Sequence, residues 1–174
     1  MKYCIIGAGV IGNAIAREIV LHGMGEVIVL EKESESAMHA SGRNSGVIHS
    51  GINQKPGTKK AELCLKGSRM LRNYCNEKSI PFEECGTLVV ALNEKERAKL
   101  KVMQEMAFQI GVPGVRIISR EELRQREPHA NGLEALLSPT GAIVDARAVV
   151  KSLQKDAEFK GAEYKFNTEV KDIR

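Results

Sequence analysis

The chain has 174 residues, of which 43% are hydrophobic and 28% are charged, and its net charge at pH 7 is +4. This length suits one domain or one domain with a small insertion, and the composition is typical of a folded globular protein rather than a disordered one. The small charge excess and the aromatic content of 4% argue against a nucleic-acid partner, and no apolar run is long enough to predict a transmembrane segment.

The first thirty residues predict a strand–helix–strand unit. The predicted elements are an apolar strand over 2–6, a helix over 10–22 and a second apolar strand over 26–30. On the helix, Ile11, Ile15 and Ile19 lie on one stripe and are expected to face the core. Glu31 follows directly at the end of the second strand.

The rest of the chain predicts a long polar loop followed by alternating helices and strands. The loop over 33–56 is rich in glycine, and ordered loops of this length usually carry function. Gly67 lies inside a predicted helix, which suggests close packing at that point. The predicted elements are a helix from the cap Thr58 to about 78, a strand over 86–92, a helix from the cap Asn93 to about 110, a strand over 115–118, a brief helix from Ser119 that ends before Pro128, a strand over 133–137, a helix from the cap Asp145 through 160, and strands over 162–167 and 169–173.

A glycine fingerprint connects the first strand to the first helix. Residues 7–12 read G-x-G-x-x-G, with a strand before, a helix after and an acid at the end of the next strand, as a dinucleotide-binding turn requires. The helix amides and dipole would face a diphosphate, and Glu31 would accept the ribose hydroxyls. The alternative is a glycine turn in a nucleotide-free α/β domain. Ala16 favours FAD over NAD as the dinucleotide. The fingerprint residues assigned to cofactor binding are Gly7, Ala8, Gly9, Val10, Ile11, Gly12, Glu31 and Lys32.

The four cysteines predict neither a metal site nor a disulfide framework. No pair has the C-x-x-C spacing of a zinc or redox site, so we interpret them as free thiols in a reducing cytosol. The N-terminus imitates a signal peptide, but cleavage after Ala16 would destroy the fingerprint. We therefore expect a cytoplasmic protein, with peripheral association at the inner face of the membrane as the open alternative.

The stretch over 40–52 carries a second and more specific signal. Its core reads Gly42-Arg43-Asn44-Ser45-Gly46-Val47-Ile48-His49-Ser50-Gly51, and Glu127-Pro128 and the run over 138–145 follow in order. In these motifs the chain resembles the D-amino-acid-oxidase-like superfamily of FAD-dependent oxidoreductases. Within it, the sequence is most similar to the L-2-hydroxyglutarate dehydrogenase/oxidase family, with FAD-dependent glycerol-3-phosphate dehydrogenases as relatives.

The resemblance implies a role for each matching residue. The fingerprint and Glu31 would hold the ADP half of FAD, and His49 and Ser50 would lie near the isoalloxazine as candidate catalytic residues. The alternative for His49 is an ordinary loop histidine. The further cofactor-binding residues implied are Ser41, Arg43, Asn44, Ser45, Gly46, Val47 and Val170.

The resemblance also implies a fold and a set of partners. The expected fold is α/β, with a Rossmann-like, discontinuous and incomplete FAD-binding domain over 1–81 and 141–174 and part of a substrate or cap domain over 82–140. The C-terminal half of the family fold would lie outside these residues. The implied partners are a small anionic substrate, an electron acceptor of unspecified identity and a C-terminal partner chain, without nucleic acid or metal. A non-catalytic FAD-binding fragment is the alternative function, and glycerol 3-phosphate is the alternative substrate.

A basic run extends from the end of the long loop into the following helix. Its members are Lys55, Lys59, Lys60, Lys66, Arg69 and Arg72, with Glu62 among them. The favoured interpretation is a solvated helix face, and the alternative is a patch for an anionic partner.

Overall fold

The computed structural model describes residues 1–173, which form two compact units. The first unit combines residues 1–46 with the residues from 145 onward, and the second unit is Val47–Val144. These limits differ from the predicted boundaries at 81 and 141. Because compactness does not identify what each part binds, the assignment of FAD and substrate to the predicted domains stays a prediction. Arg174, with which the predicted domain ends, lies outside the described residues.

Successive helices are separated by one or two strands, where the sequence predicts one. None of the helices described here is both long and apolar enough to cross a membrane. The elements in chain order are β1 (Lys2–Ile6), α1 (Val10–Leu21), β2 (Glu26–Leu30), β3 (Val47–Ile48), α2 (Lys59–Glu77), β4 (Phe82–Glu83), β5 (Thr87–Ala91), α3 (Glu94–Ile110), β6 (Arg116–Ser119), α4 (Arg120–Arg126), β7 (Glu134–Ser138), β8 (Ala142–Val144), α5 (Ala146–Phe159) and β9 (Glu163–Lys165).

The first unit is a parallel sheet in the order β1-β2-β9, with α1 packed against α5. In the register of the sheet, Tyr3 lies opposite Val27, and Leu30 lies opposite Lys165. Small and β-branched side chains fill its core, which allows the helices to approach the sheet closely. The buried core residues are Ala8, Ala16, Ile19, Val27, Val29, Ala157 and Ala162. The α/β architecture expected from the strand–helix–strand pattern is therefore present.

The buried face of α1 differs from the predicted stripe. Ile11 and Ile15 are 69% and 48% exposed, so the expectation that they face the core is wrong. The buried residues of α1 are Asn13, Ala16 and Ile19. The close approach of the helix to the glycine turn fixes this rotation, because a Cβ on Gly12 would lie 2.0 Å from the carbonyl oxygen of Gly7. Hydrophobic periodicity cannot show such a backbone contact.

The second unit contains two antiparallel sheets. The larger has the order β5-β7-β6 and packs against α3 and α4. The smaller has the order β3-β8-β4, and none of its three strands was predicted. Each has only two or three residues, which is too short to show a period of two. A polar loop was expected where β3 lies.

The predicted caps are present at four helices. Thr58, Asn93 and Ser119 each accept a hydrogen bond from a backbone amide three residues on, and Asp145 accepts from the amides of residues 147 and 148. These side chains satisfy amides that have no partner inside the helix. The helix starts could therefore be predicted to within a residue.

The predicted strand over 169–173 is absent. The chain bends after β9, where Asn167 adopts a positive φ of 52°, and the Thr168 amide donates to the carbonyl oxygen of Glu31. Val170 consequently lies outside any strand and is half-buried. Its predicted strand setting is wrong, while the predicted contact with adenine stays untested.

Gly67 in α2 does not mark a close packing contact. A Cβ built on this residue meets no atom within 4 Å, and its φ is not in the left-handed region. The interpretation of Gly67 as a packing glycine is therefore wrong.

Gly67→Ala should stabilise the protein by about 0.5–1 kcal/mol, because alanine loses less backbone entropy in a helix. Chemical denaturation followed by far-ultraviolet circular dichroism measures the change. Gly86→Ala is the control, since Gly86 has a φ of +79° and alanine there is strained. A loss of stability in Gly67→Ala would show that the helix surface has a neighbour at this position.

Candidate functional site

The glycine turn between β1 and α1 has the backbone geometry that its sequence predicts. Gly7 has a φ of +97°, a conformation that favours glycine, and its amide donates to the carbonyl oxygen of Leu30 over 2.8 Å. Gly12 permits the helix to approach the turn, since the nearest atom to an added Cβ would be the Gly7 carbonyl oxygen. The turn therefore requires a left-handed backbone at Gly7 and leaves no room for a side chain at Gly12.

The N-terminus of α1 provides donors for an anion. The N-cap Gly9 has no side chain to cap the helix, and no acidic side chain lies in the first turn. The Val10 amide donates to Ser41 Oγ over 3.0 Å. The first-turn amides precede the i−4 hydrogen bonds of the helix, and the positive end of the helix dipole lies at the same place. These are the features of a phosphate-binding helix N-terminus.

The absence of a side chain at Gly9 leaves its backbone open next to Ser41. A Cβ on Gly9 would come within 3.0 Å of Ser41 Oγ, so the glycine leaves a cradle between its backbone and a hydroxyl. A hydroxyl can donate to a phosphate oxygen while it accepts from an amide. Ser41 therefore belongs to the same site as the fingerprint, although the two are more than thirty residues apart in sequence.

Glu31 lies at the end of β2 with its carboxylate turned toward the glycine turn. Its Oε2 accepts from the Ala8 amide over 2.6 Å and its Oε1 from the Glu33 amide over 2.9 Å. The residue is only 8% exposed. A carboxylate has about four acceptor positions, so these two bonds orient the group and leave two positions for hydroxyl donors. Glu31 thus fits the predicted ribose-binding role and also holds the turn.

Asn13 is a site residue that the sequence analysis missed. Its side chain is completely buried, and its Nδ2 donates to the carbonyl oxygens of Ala8 and Gly9 over 2.7 and 3.0 Å. Its Oδ1 accepts from the Tyr164 hydroxyl over 2.6 Å. Burial, together with the charge of Glu158, raises the pKa of Tyr164, so the hydroxyl keeps its proton and donates. A polar residue three positions before Ala16 was the available signal.

The loop after Ala40 is held by Asn44. Its Nδ2 donates to the carbonyl oxygens of Ala40 and Ser41, both over 2.9 Å, and its Oδ1 accepts from the Gly46 amide over 2.8 Å. Both amide protons of Asn44 are therefore used inside the loop. Among the other predicted cofactor residues here, Arg43 and Ser45 are exposed and Gly46 is buried. Asn44 shapes the loop, whereas Arg43 and Ser45 can reach a ligand.

Glu33 and its neighbours form a charged edge next to Glu31. A hydrogen bond with His39, with 2.7 Å between Nε2 and Oε1, lowers the pKa of Glu33, and the positive charges of Lys32 and Arg43 act in the same direction. Lys32 is exposed, and its Nζ lies 3.9 Å from Glu33 Oε1. Lys32 therefore contributes charge at this edge and has no buried role.

The predicted flavin-proximal residues lie in the second unit. Val47 in β3 and His49 after it are exposed, whereas Ser50 is 4% exposed. The carbonyl oxygen of His49 lies 3.8 Å from Cys64 Sγ, and Gly51 has a φ of +98°. The structure therefore holds the backbone of this loop against α2 and leaves the imidazole of His49 in solvent. The roles of His49 and Ser50 stay predictions.

Comparison with known proteins identifies the family. The model of the DAO family, described as FAD dependent oxidoreductase, matches residues 2–174. The chain therefore belongs to this family of FAD-dependent oxidoreductases. The predicted superfamily and the choice of FAD over NAD are confirmed at the family level.

The curated relatives that match this chain include several proteins named L-2-hydroxyglutarate dehydrogenase. The chain is 44% identical over 170 residues to the mitochondrial L-2-hydroxyglutarate dehydrogenase of Bos taurus, which covers 97% of this chain and 37% of the relative. It is 34% identical over 172 residues to L-2-hydroxyglutarate dehydrogenase of Escherichia coli strain K12, covering 98% and 40%. The chain thus spans about two fifths of the length of the relatives it matches.

Solved structures of similar fold include several oxidases. The L-alpha-glycerophosphate oxidase of Mycoplasma pneumoniae, with FAD bound, aligns with a TM-score of 0.85 at 30% identity, covering 96% of this chain and 44% of that one. Glycine oxidase from Geobacillus kaustophilus aligns with a TM-score of 0.88 at 26% identity, covering 99% and 49%. The fold predicted from the motifs is confirmed by these alignments.

Asn13→Ala should destabilise the first unit by about 2–3 kcal/mol, because it removes three hydrogen bonds and leaves buried partners unsatisfied. Urea denaturation measures the loss. The control Tyr164→Phe removes only the bond to Asn13 Oδ1 and should cost about 0.5–1.5 kcal/mol. If the two variants were equally stable, the bonds from Asn13 to the glycine turn would contribute nothing.

Proposed function

We propose that this chain provides the ADP-binding part of an FAD-dependent oxidoreductase that acts on an L-2-hydroxy acid such as L-2-hydroxyglutarate. The observation that carries the proposal is the joint geometry of the glycine turn and Glu31. The turn presents helix amides to a diphosphate, and the oriented carboxylate retains acceptor positions for ribose hydroxyls. The family match and the repeated name of the curated relatives support it.

Each residue would act by binding or orienting the cofactor. The first-turn amides of α1 and the Ser41 hydroxyl would contact the diphosphate, and Glu31 would accept the ribose hydroxyls. The negative charge of Glu31 would disfavour a 2′-phosphate at that position. Asn13 would act as a positioning residue, because it fixes the carbonyl groups of the turn and touches no ligand atom.

The redox chemistry comes from the cofactor: FAD, when bound, accepts a hydride from the carbon that bears the substrate hydroxyl. This chain's own part would be to hold the cofactor and to place donors near it. The loop around His49 and Ser50 offers side chains of that kind, and we propose that they tune the flavin environment. The acceptor of the electrons is left open. Glycerol 3-phosphate is the second candidate substrate, supported by the L-alpha-glycerophosphate oxidase fold.

The open edge of the sheet in the first unit supports the proposal that a further polypeptide binds there. Within residues 1–173, β1 pairs only with β2, so its other edge has unpaired backbone groups. Ile6 on this strand is 55% exposed, and Ile11 and Ile15 on α1 are also exposed. An open strand edge with apolar neighbours favours association. We propose that the occupant is polypeptide equivalent to the part of the relatives that this chain does not cover.

Glu31→Ala should weaken FAD binding roughly tenfold or more, because charge-assisted hydrogen bonds contribute about 1.5–3 kcal/mol. Titration with FAD, followed by flavin fluorescence, measures the affinity. Glu33→Ala removes the same charge two residues away and should change the affinity little. Equal affinities for Glu31→Ala and wild type would remove Glu31 from the site.

Gly9→Val should abolish FAD binding more completely, because the side chain would fill the cradle beside Ser41. Flavin absorbance of the protein after gel filtration reports retention. Gly67→Val is the control, since it adds the same side chain where no atom lies within 4 Å. Retained flavin in Gly9→Val would show that the phosphates bind elsewhere.

Reduction of bound flavin tests the substrate and the need for a partner together. Anaerobic mixing of the FAD-loaded chain with L-2-hydroxyglutarate should give no bleaching at an enzymatic rate. After co-expression with the part of the bovine relative that this chain does not cover, the same substrate should bleach the flavin. Bleaching of the chain alone would overturn the partner requirement, and a preference for glycerol 3-phosphate would overturn the proposed substrate.

A further inference from the structure

The second unit contains a cleft of about 990 Å³, which Ser50 from the proposed flavin environment also lines. Side chains of α2 form one wall, and the segment that ends α3 and the turn after β7 form the rest. The basic run noted in the sequence contributes four side chains to this wall: Lys59, Lys66, Arg69 and Arg72. The cleft is therefore a place where that run could have a ligand.

The four cations of the cleft differ in their partners. Lys59 Nζ lies 2.8 Å from Glu62 Oε2, and Arg72 Nε lies 2.9 Å from Glu84 Oε1. In the described part of the chain, Lys66 and Arg69 have no ion pair or hydrogen bond through their side chains. The wall therefore carries two uncompensated positive charges, three residues apart on one helix.

A fixed polar group lies next to these charges. The Arg72 side chain is 15% exposed and is held by Glu84, by the Ser68 carbonyl oxygen at 3.2 Å and by the carbonyl oxygen of Thr140. Thr140 thereby has a defined position in the wall, and its Oγ1 is buried without a hydrogen-bond partner. Since this Oγ1 is closed to solvent, it makes no contact with a ligand in the cleft, and Thr140 contributes to the wall only through its other atoms.

The N-terminus of α2 adds to the positive potential of the same cleft. Thr58, the N-cap, and Gly57 both line it. The helix has 19 residues, so the positive end of its dipole is well formed. Arg69 and Lys66 are separated by one helical turn, which places their Cβ atoms about 5–6 Å apart. Two anionic groups a few ångströms apart match this spacing.

We propose that the cleft of the second unit binds a small dianion, of the size of a short dicarboxylate or a phosphate, through Lys66 and Arg69. This inference goes beyond the proposed flavin function and does not rest on it. The guanidinium of Arg69 can take a carboxylate or phosphate in a bidentate manner, while Lys66 acts as a point charge. Lys66 and Arg69 are exposed, as Lys55 and Lys60 are. What sets Lys55 and Lys60 apart is that they do not line the cleft, and the solvated-face interpretation of the basic run then applies to those two residues.

The test is isothermal titration of the flavin-free 174-residue chain with glutarate and, separately, with inorganic phosphate. Arg69→Ala and Lys66→Ala should each weaken binding roughly tenfold or more, as expected for charge-assisted contacts. Arg69→Lys should restore part of the loss, because it keeps the charge and loses the planar fork. The matched control Lys60→Ala removes the same charge from α2 and should change the affinity less than twofold, about the scale of an exposed charge. Far-ultraviolet circular dichroism checks that each variant is folded.

Saturable binding of one or both probes, lost in the two cleft variants and kept in the control, supports the site. The stronger probe identifies whether carboxylate or phosphate is the preferred ligand chemistry. No saturable binding by either probe overturns the proposal, and so does an equal loss in Lys60→Ala and Lys66→Ala, which would indicate nonspecific surface charge. The titration contains no FAD, so its failure leaves the flavin experiments unaffected.

Discussion

The close approach of α1 to the end of β1 is the constraint on which the first unit depends. A Cβ on Gly12 would lie 2.0 Å from the Gly7 carbonyl oxygen, so only a glycine at this position allows the helix to start where it does. That approach sets the rotation of α1 and places Asn13 on the buried side. It also points the helix N-terminus past Gly9 toward Ser41. The contact between Gly12 and the Gly7 carbonyl group therefore determines both which side of α1 is buried in the core and where the helix N-terminus lies relative to Ser41.

A turn this tight exposes backbone polar groups to a core without water, and two buried side chains satisfy them. The Asn13 side chain donates to the carbonyl oxygens of Ala8 and Gly9, and the Glu31 carboxylate accepts from the Ala8 amide. Tyr164 ties Asn13 to β9, so the network links the helix to the far strand of the sheet. Because the same groups hold the turn and border the cradle, changes that weaken cofactor binding will also weaken folding. Binding and stability therefore have to be measured in parallel for any variant of this network.

Local chemistry made much of the fold predictable, and tertiary contacts explain the errors. The capping side chains Thr58, Asn93, Ser119 and Asp145 gave the helix starts, because a cap acts within three residues of itself. Ile11 was assigned to the wrong face because a glycine contact, invisible to hydrophobic periodicity, sets the rotation of α1. The strand expected at 169–173 is absent, and the chain bends just before it at Asn167, which has a positive φ. The fingerprint turn has the predicted geometry and Ser41 contacts it, whereas nothing in the sequence separates the buried Asn13 from any polar helix residue.

The basic run on α2 shows why charge in a sequence does not identify a partner by itself. Lys59 and Glu62 are three residues apart on the helix, so the sequence spacing alone predicts that their charges form an ion pair. Arg72 pairs with Glu84, twelve residues away, through a contact that only the folded second unit creates. Within residues 1–173, Lys66 and Arg69 are the cleft cations left without a carboxylate partner. The fold therefore decides which charges stay unpaired, and the number of charges in the sequence does not. The basic run extends over eighteen residues of the sequence. Because Lys66 and Arg69 line one cleft, the fold brings its two uncompensated charges to the same place.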